Sequence, residues 1–308
     1  MQDIPHIPVL YREVLDTFSD LEDGIIIDCT MGYGGHSSMI LDSNQNIKLI
    51  GIDQDQTAID FSKNRLEKFG DRISIKKGRF SNVIKDIVKE YGVQNIRGVL
   101  ADIGVSSLQL DQKDRGFSYE SDNLDMRMDK NAPLSASEVV NEYPQNDLEN
   151  ILLEYGELRN YKKIAASIVK NRPFTSAKEL SETLKPLLPH GKIHPATLLM
   201  QAIRIEVNDE LGELKSLLKT IADAKLPDAK VAIISFHSLE DRIVKQTFTQ
   251  WKQNCICPAE VMRCTCSRDN SLGKVLSKKP IMATNEELKE NVRSRSAKMR
   301  VFQMGKKK

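Results

Sequence analysis

The sequence predicts an α/β fold, an open and doubly wound parallel sheet interrupted by an inserted all-helical domain. Three observations predict it. Short apolar strand-like runs alternate with helix-patterned segments over the first hundred residues, a glycine-rich turn follows the first run, and the alternation stops near Leu110 and returns only at Val231. The implied organisation is a first core segment over 1–110, a helical substrate-recognition insertion over 111–205, and a second core segment over 206–308 with a basic end.

Each element follows from local pattern. Ile25 to Ile27 reads as a buried strand, followed by the glycine-rich turn and a short helix from about Ser37. Ile47 to Ile52 is a second strand ending at Asp53. A helix from about Thr57 to Phe69 places Ile59, Leu66 and Phe69 on one face, with Gly70 as its stop. Ile73 to Ile75 opens a third strand, Val83 to Val88 lies in a helix, and Gly98 to Asp102 ends a fourth strand. Residues 111–131 are dense in charge and poor in periodic apolar positions, the pattern of a loop. Leu148, Ile151, Leu152 and Tyr155 then recur at helical spacing before Gly156. Ser176 and Glu179 have capping-box spacing ahead of Leu180, Leu184 and Leu187, and another helix runs through Leu199, Ala202 and Ile203. Val231 to Ser235 is a strand, Leu239, Ile243 and Phe248 line a helix, and Met299 to Phe302 forms a late strand.

Composition bounds the class. The 308 residues are 40% hydrophobic and 29% charged, ordinary for a globular protein. The opening residues carry no basic-then-apolar leader, and the longest apolar runs, Gly24 to Ile27 and Val231 to Ile234, are strand-sized. Export and a membrane are therefore not expected, and the cytoplasm is. Net charge is only +2, but Ser271 to Lys308 carries eleven Lys and Arg against three Glu. Such a segment suits a polyanion such as RNA, or serves as a solubilising tail.

Cys255, Cys257, Cys264 and Cys266 form two C-x-C pairs. Structural disulfides are disfavoured in a cytosolic chain, and zinc sites more often use wider C-x₂₋₄-C pairs. Four thiolates this close in sequence could hold a tetrahedral zinc, but free loop thiols with no metal are the favoured expectation.

Chemistry concentrates in Asp28-Cys29-Thr30-Met31-Gly32-Tyr33-Gly34-Gly35-His36, directly after the first strand. Glycines there let the backbone approach a ligand, and the next helix offers free N–H groups to an anionic part of it. Asp53 ends the second strand, where a carboxylate can accept both ribose hydroxyls. A dinucleotide fingerprint would need a third glycine, but counting from Gly32 that position is Ser37. An adenosine with an amino-acid tail, S-adenosylmethionine, fits better than a nicotinamide nucleotide or a plain structural turn. Asp102 ends the fourth strand, where ligands of open α/β sheets sit, and should face the reacting centre unless it only caps a local turn.

Longer stretches carry a resemblance. Gly32-Tyr-Gly-Gly-His36, Asp102-Ile-Gly-Val-Ser-Ser-Leu-Gln-Leu-Asp111, Arg115-Gly-Phe-Ser118 and Leu124-Asp-Met-Arg-Met-Asp129 occur in order. His194-Pro-Ala-Thr197, Gln201-Ala-Ile-Arg-Ile205, Val207-Asn-Asp-Glu-Leu211, Ile234-Ser-Phe-His-Ser-Leu-Glu-Asp-Arg242 and Arg293-Ser-Arg-Ser-Ala-Lys-Met-Arg300 follow. Together they resemble the bacterial 16S rRNA cytosine-N4 methyltransferase family (MraW), from His6 to Arg300. Val292, Leu198 and the Asp122-Asn123 pair depart from that pattern, and none of them touches the cofactor loop.

The resemblance implies a Rossmann-like S-adenosylmethionine-dependent methyltransferase fold with an inserted helical domain. Its target would be a decoding-centre cytidine, position 1402, of 16S rRNA. The basic end and the inserted domain favour the assembled 30S subunit over naked rRNA as the substrate, and a homodimer is a further expectation. Gly34, Gly35, His36, Asp53, Phe80, Asp102 and Gln109 match its cofactor residues. Asp102 is also the expected acceptor of the N4 proton. The substrate must leave its stack to reach a buried methyl, and Ser235, His237 and Arg242 are expected around it, with Ser238 and Asp241 also spaced as a capping box. Arg115 and Arg204 are candidate phosphate contacts, as are Arg127, Arg293 and Arg295. A nicotinamide dehydrogenase and a non-catalytic RNA-binding protein are the rival readings.

Overall fold

The computed structural model describes residues 7–189, 194–258, 260 and 263–305. His6 and Lys306 to Lys308, both used in the sequence reading, lie outside them. The chain divides into two compact units, Met1–Gly104 with Gly212–Lys308, and Val105–Leu211. The breaks thus fall after Gly104 and Leu211 rather than after 110 and 205. Periodicity cannot locate them, because a helix spans either side of each expected break. Ser107–Asp111 and the end of Thr197–Asn208 both belong to the helical unit, whose core includes Val207.

The first unit holds a seven-stranded sheet: β1 (Gly24–Asp28), β2 (Ile47–Asp53), β3 (Ile73–Lys77), β4 (Ile96–Asp102), β5 (Lys230–Ser235), β6 (Gly273–Val275) and β7 (Lys298–Met304). Their order is β3-β2-β1-β4-β5-β7-β6. β1 to β5 run parallel, but β7 is antiparallel to β5 and β6 to β7. The all-parallel expectation is corrected at this edge, since an apolar run marks a strand without giving its direction. β6 is three residues long with Lys274 exposed, too short to carry a pattern.

Alternate residues of the central strands enter two different cores. Ile25, Ile27, Val99, Ala101, Val231 and Ile233 pack with Leu214, Leu217, Ile221, Val244 and Phe248. Ile26, Leu100, Ala232 and Ile234 pack with Val14, Phe18, Leu41 and Leu66. Helices therefore cover both faces, which is why these strands read as unbroken apolar runs. Where helix Gln56–Leu66 starts, Thr57 N donates to the Asp55 carboxylate at 3.0 Å. A cap of this kind contributes about 1 kcal/mol. Register sets the functional end: Asp28 pairs with Leu100 and Asp102 with Ile234, so the carboxyl ends of β1, β4 and β5 lie side by side.

Among the described residues the second unit's regular elements are all helical, with Ala136–Glu142, Gln145–Glu154, Tyr161–Asn171, Ala177–Leu184 and Thr197–Asn208 around one apolar core. Ser135 and Glu138 form a reciprocal capping box. At Ser176 only half the expected box forms: Glu179 N donates to Ser176 Oγ at 3.1 Å, but the Glu179 carboxylate accepts from Thr175 instead. The charged stretch predicted as a loop is one, apart from a short turn at Lys113–Arg115. Asn208 pins it, accepting from Met128 N at 2.8 Å and donating to Met126 O at 2.8 Å.

Candidate active site

β1 ends in Asp28, and the chain then folds back over the sheet. Met31 N donates to Ile52 O, and Gly34 N to Met31 O, both at 2.9 Å. Gly34 has a φ of 72°, in the left-handed region. A Cβ at Gly35 would come 2.5 Å from Pro8 Cγ, so this packing admits only glycine. Helix Gly35–Ser43 begins here with no side chain capping it, leaving its first N–H groups for an anionic ligand.

Asp53 ties this turn to the end of β2. Its two carboxylate oxygens accept from Gly32 N and Asp55 N, each at 2.8 Å. Burial raises its pKa to about 6, against the pull of those hydrogen bonds. The Asp53 carbonyl accepts from Gly78 N at 2.9 Å, which holds Gly78-Arg79-Phe80 at the same sheet end. Phe80 opens helix Phe80–Tyr91 and packs half-buried against the core.

Two further acids end β1 and β4. Asp28 is buried, accepts from Ser37 Oγ at 2.7 Å and Thr30 N at 3.2 Å, and is pushed up to about 6 by burial. Asp102 is pushed up further, to about 7, by burial and by the charges of Asp28 and Glu240, with His36 opposing. His36 Nδ1 lies 4.0 Å from Asp102 Oδ2. His36 Nε2 sits 2.8 Å from Val9 O, so that nitrogen carries the proton donated to the carbonyl. Asp102 N donates to Thr30 Oγ1 at 2.6 Å, fixing the backbone of β4 against the turn. Its Oδ1 is buried, and no donor among the described residues reaches it. A buried carboxylate oxygen of this kind is costly unless something binds to it.

At the end of β5, Ser235 is buried and donates to Lys298 O at 3.3 Å. His237 is the N-cap of helix Ser238–Trp251, and Glu240 reaches back to accept from Phe236 N at 2.8 Å and His237 N at 3.2 Å. The capping box predicted for Ser238 and Asp241 is thus shifted by one residue. Asp241 instead takes both guanidinium donors of Arg300, at 2.6 and 3.0 Å. His237 Nε2 lies 3.0 Å from Glu240 Oε1, within ion-pair range but outside hydrogen-bond geometry. The Arg242 side chain is exposed and lines a hollow of about 590 Å³ with Lys245, Gln246, Thr249 and Gln250.

Three expected residues lie in the helical unit. Gln109 is buried in helix Ser107–Asp111, its Oε1 accepting from Ser106 N at 3.0 Å. Arg115 was expected at an rRNA phosphate, but it is buried and donates to Arg127 O at 3.0 Å and Met128 O at 3.1 Å. Arg204 is likewise committed, forked onto the buried Glu210 at 2.7 and 2.9 Å. Both guanidinium groups are thus engaged inside the helical unit, an inward turn that a run of polar sequence does not show. Arg127 is forked onto Asp125 at 2.9 and 2.8 Å in the same way.

Three participants lay within the quoted motifs but had no role of their own in the sequence reading: Asp28, Thr30 and Glu240. Asp28 ends a strand beside the glycine turn, as Asp53 and Asp102 end theirs, and that shared position was the available signal. Glu240 had none, since an acid in a helix's first turn ordinarily faces water. The four loop cysteines, expected as free thiols with no common ligand, have their sulfurs within 4.8 Å of one another.

Comparison with known proteins agrees in extent. A family profile described as the MraW methylase family matches residues 3–305. The chain is 69% identical over 307 residues to a protein of Sulfurimonas denitrificans named ribosomal RNA small subunit methyltransferase H, covering 99% of this chain and 100% of that one. Proteins of the same name from Aliarcobacter butzleri and Nitratiruptor sp. are each 59% identical over 300 residues, covering 97% of this chain and 99% and 98% of theirs.

Proposed function

Since the chain belongs to the MraW methylase family, and is a S-adenosylmethionine-dependent methyltransferase of small-subunit rRNA, we propose that it methylates the exocyclic N4 of a decoding-centre cytidine, position 1402, of 16S rRNA. The observation that carries this reading is the half-buried Asp102 carboxylate, whose Oδ1 is buried with no partner among the described residues, beside a glycine turn, the buried Asp28 and the half-buried Asp53.

The residues present fit the cofactor. Uncapped amides at the start of helix Gly35–Ser43 suit a carboxylate, while Asp28, Asp53 and Asp102 give the same sheet end negative charge suited to a cation. A pyrophosphate would be repelled there, which disfavours a nicotinamide enzyme. Gly34, Gly35 and His36 would hold the amino-acid tail, Asp53 the ribose hydroxyls and Phe80 the adenine side. Gln109 is assigned to the cofactor by the family resemblance alone. When bound, S-adenosylmethionine supplies a methyl group on a positively charged sulfur.

The cytosine N4 is a poor nucleophile because its lone pair is delocalised into the ring. Asp102 Oδ1 accepts an N–H bond from it, localising the pair, and then takes the proton that methylation releases. A pKa of about 7 suits that task near neutral pH, where the group is neither too weak a base nor permanently protonated. His36 stays hydrogen-bonded to Val9 O and holds the opposite side of the carboxyl. His237 and Ser235 line the base side. Holding both partners in line supplies much of the remaining acceleration.

Methyl transfer from labelled cofactor to 30S particles and to free 16S rRNA, run in parallel and read by nucleoside mass spectrometry, tests this. N4-methylcytidine should accumulate, more on the 30S particle. Its absence from both would favour a non-catalytic RNA-binding protein.

A further inference from the structure

We propose that Cys255, Cys257, Cys264 and Cys266 form a tetrahedral zinc site that closes the loop following helix Ser238–Trp251. Four sulfur–sulfur separations define it: 3.6 Å for Cys255–Cys264, 3.9 Å for Cys257–Cys264, 3.6 Å for Cys264–Cys266 and 3.7 Å for Cys255–Cys266. Zinc–sulfur bonds of about 2.3 Å in a regular tetrahedron place the sulfurs about 3.8 Å apart. A disulfide would bring two of them to about 2.05 Å, and all four cysteines are free.

Hydrophobic burial does not account for this convergence. Among the described residues of the loop 252–271 no apolar side chain is buried, and Ile256 is 62% exposed. Among the described residues the sulfurs are what gathers at the centre of this loop. Its ends are fixed by Leu272 N donating to Trp251 O at 2.7 Å and Asn270 N to Asn254 O at 3.2 Å. Asn270 Nδ2 also donates to Cys266 O at 2.8 Å. Each C-x-C pair presents both sulfurs to the other pair, which is how a one-residue spacer achieves what wider spacers do elsewhere.

The outer shell is of the kind that thiolate ligands need. Ile256 N donates to Cys266 Sγ and Thr265 N to Cys257 Sγ, both at 3.4 Å. Arg268 donates to Cys264 and lies near Cys255 and Cys266, placing positive charge beside a centre whose four thiolates exceed the charge of the ion. Backbone N–H donors and a cation orient and neutralise sulfur ligands in this way. An all-sulfur, four-coordinate set selects zinc over calcium or magnesium, which take oxygen. The site lies outside the methyl-transfer residues and is structural in character, with no position left for a substrate.

The test is metal analysis of the full-length protein, purified without an affinity tag that binds metal and incubated with zinc before gel filtration. About one zinc per chain is expected, with loss of that zinc in the double variant Cys257→Ser/Cys264→Ser. Cobalt(II) added to the chelated wild type should give the intense visible bands of tetrahedral thiolate coordination, a readout that needs no variant to fold. Wild-type protein that retains no zinc and gives no such bands would overturn the assignment. So would a double variant that keeps its zinc undiminished.

Discussion

His36 Nδ1 faces Asp102 Oδ2 at 4.0 Å while Nε2 of the same ring is held 2.8 Å from Val9 O. The glycine turn that carries His36 and the strand that carries Asp102 are thereby set in one electrostatic relationship. The histidine opposes the burial that raises the carboxyl, and Asp28 and Glu240 reinforce that burial.

Asp102→Asn keeps the shape and removes the base. Turnover should fall by about 10²–10⁴, the range of a lost general base, with cofactor affinity changed far less. Wild-type turnover should rise with pH through about 7 and level off above it, because only the ionised carboxyl accepts a proton. Initial rates across that range, with affinity measured by calorimetry, check both; unchanged turnover would remove Asp102 from proton acceptance.

Asp53→Ala removes the acceptor of Gly32 N and Asp55 N together. Two part-buried donors lose their partner, at about 1 kcal/mol each. Affinity for S-adenosylmethionine should weaken by about tenfold or more, with a smaller effect on the rate at saturating cofactor. An unaltered dissociation constant would show that Asp53 only holds the turn.

The three raised acids make the ligand-free protein prefer low pH. Asp28 and Asp53 titrate near 6 and Asp102 near 7, against an ordinary value of 3.8. The folded state therefore binds more protons than the unfolded chain across that window, and their contribution to stability is lost as pH rises through 6 to 7. Asp102→Asn should accordingly raise the melting temperature at about pH 7.5 and do little at about pH 4, in the absence of cofactor. Scanning calorimetry at the two values decides it.

Gly35→Ala would drive a methyl group into Pro8. Either Pro8 or the turn must shift, at roughly 1–3 kcal/mol for overpacking. The expected result is a lower melting temperature together with weaker cofactor binding, both read by thermal shift with and without S-adenosylmethionine.

Arg115→Ala distinguishes an internal fastener from a phosphate contact. Its guanidinium holds the carbonyls of Arg127 and Met128 and lies over Phe117, 5.8 Å from the ring centre. Stability should drop by about 2 kcal/mol as one buried and one part-buried carbonyl lose a charged donor. The slope of rRNA affinity against salt should stay the same, whereas losing a phosphate contact would reduce it by about one unit.

Much of this protein was written locally. The run Ile25 to Ile27, the glycines at 34 and 35, and the strand-ending Asp53 and Asp102 each announce themselves through a few neighbouring residues, since strand burial, tight turns and carboxyl-end acids are short-range properties. The direction of β7, the inward commitment of Arg115 and Arg204, the burial of Glu240 and the meeting of two C-x-C pairs were decided only by the tertiary structure. Each depends on what another part of the chain brings within reach of a charge or a sulfur. Partners of that kind leave no trace in the residues on either side.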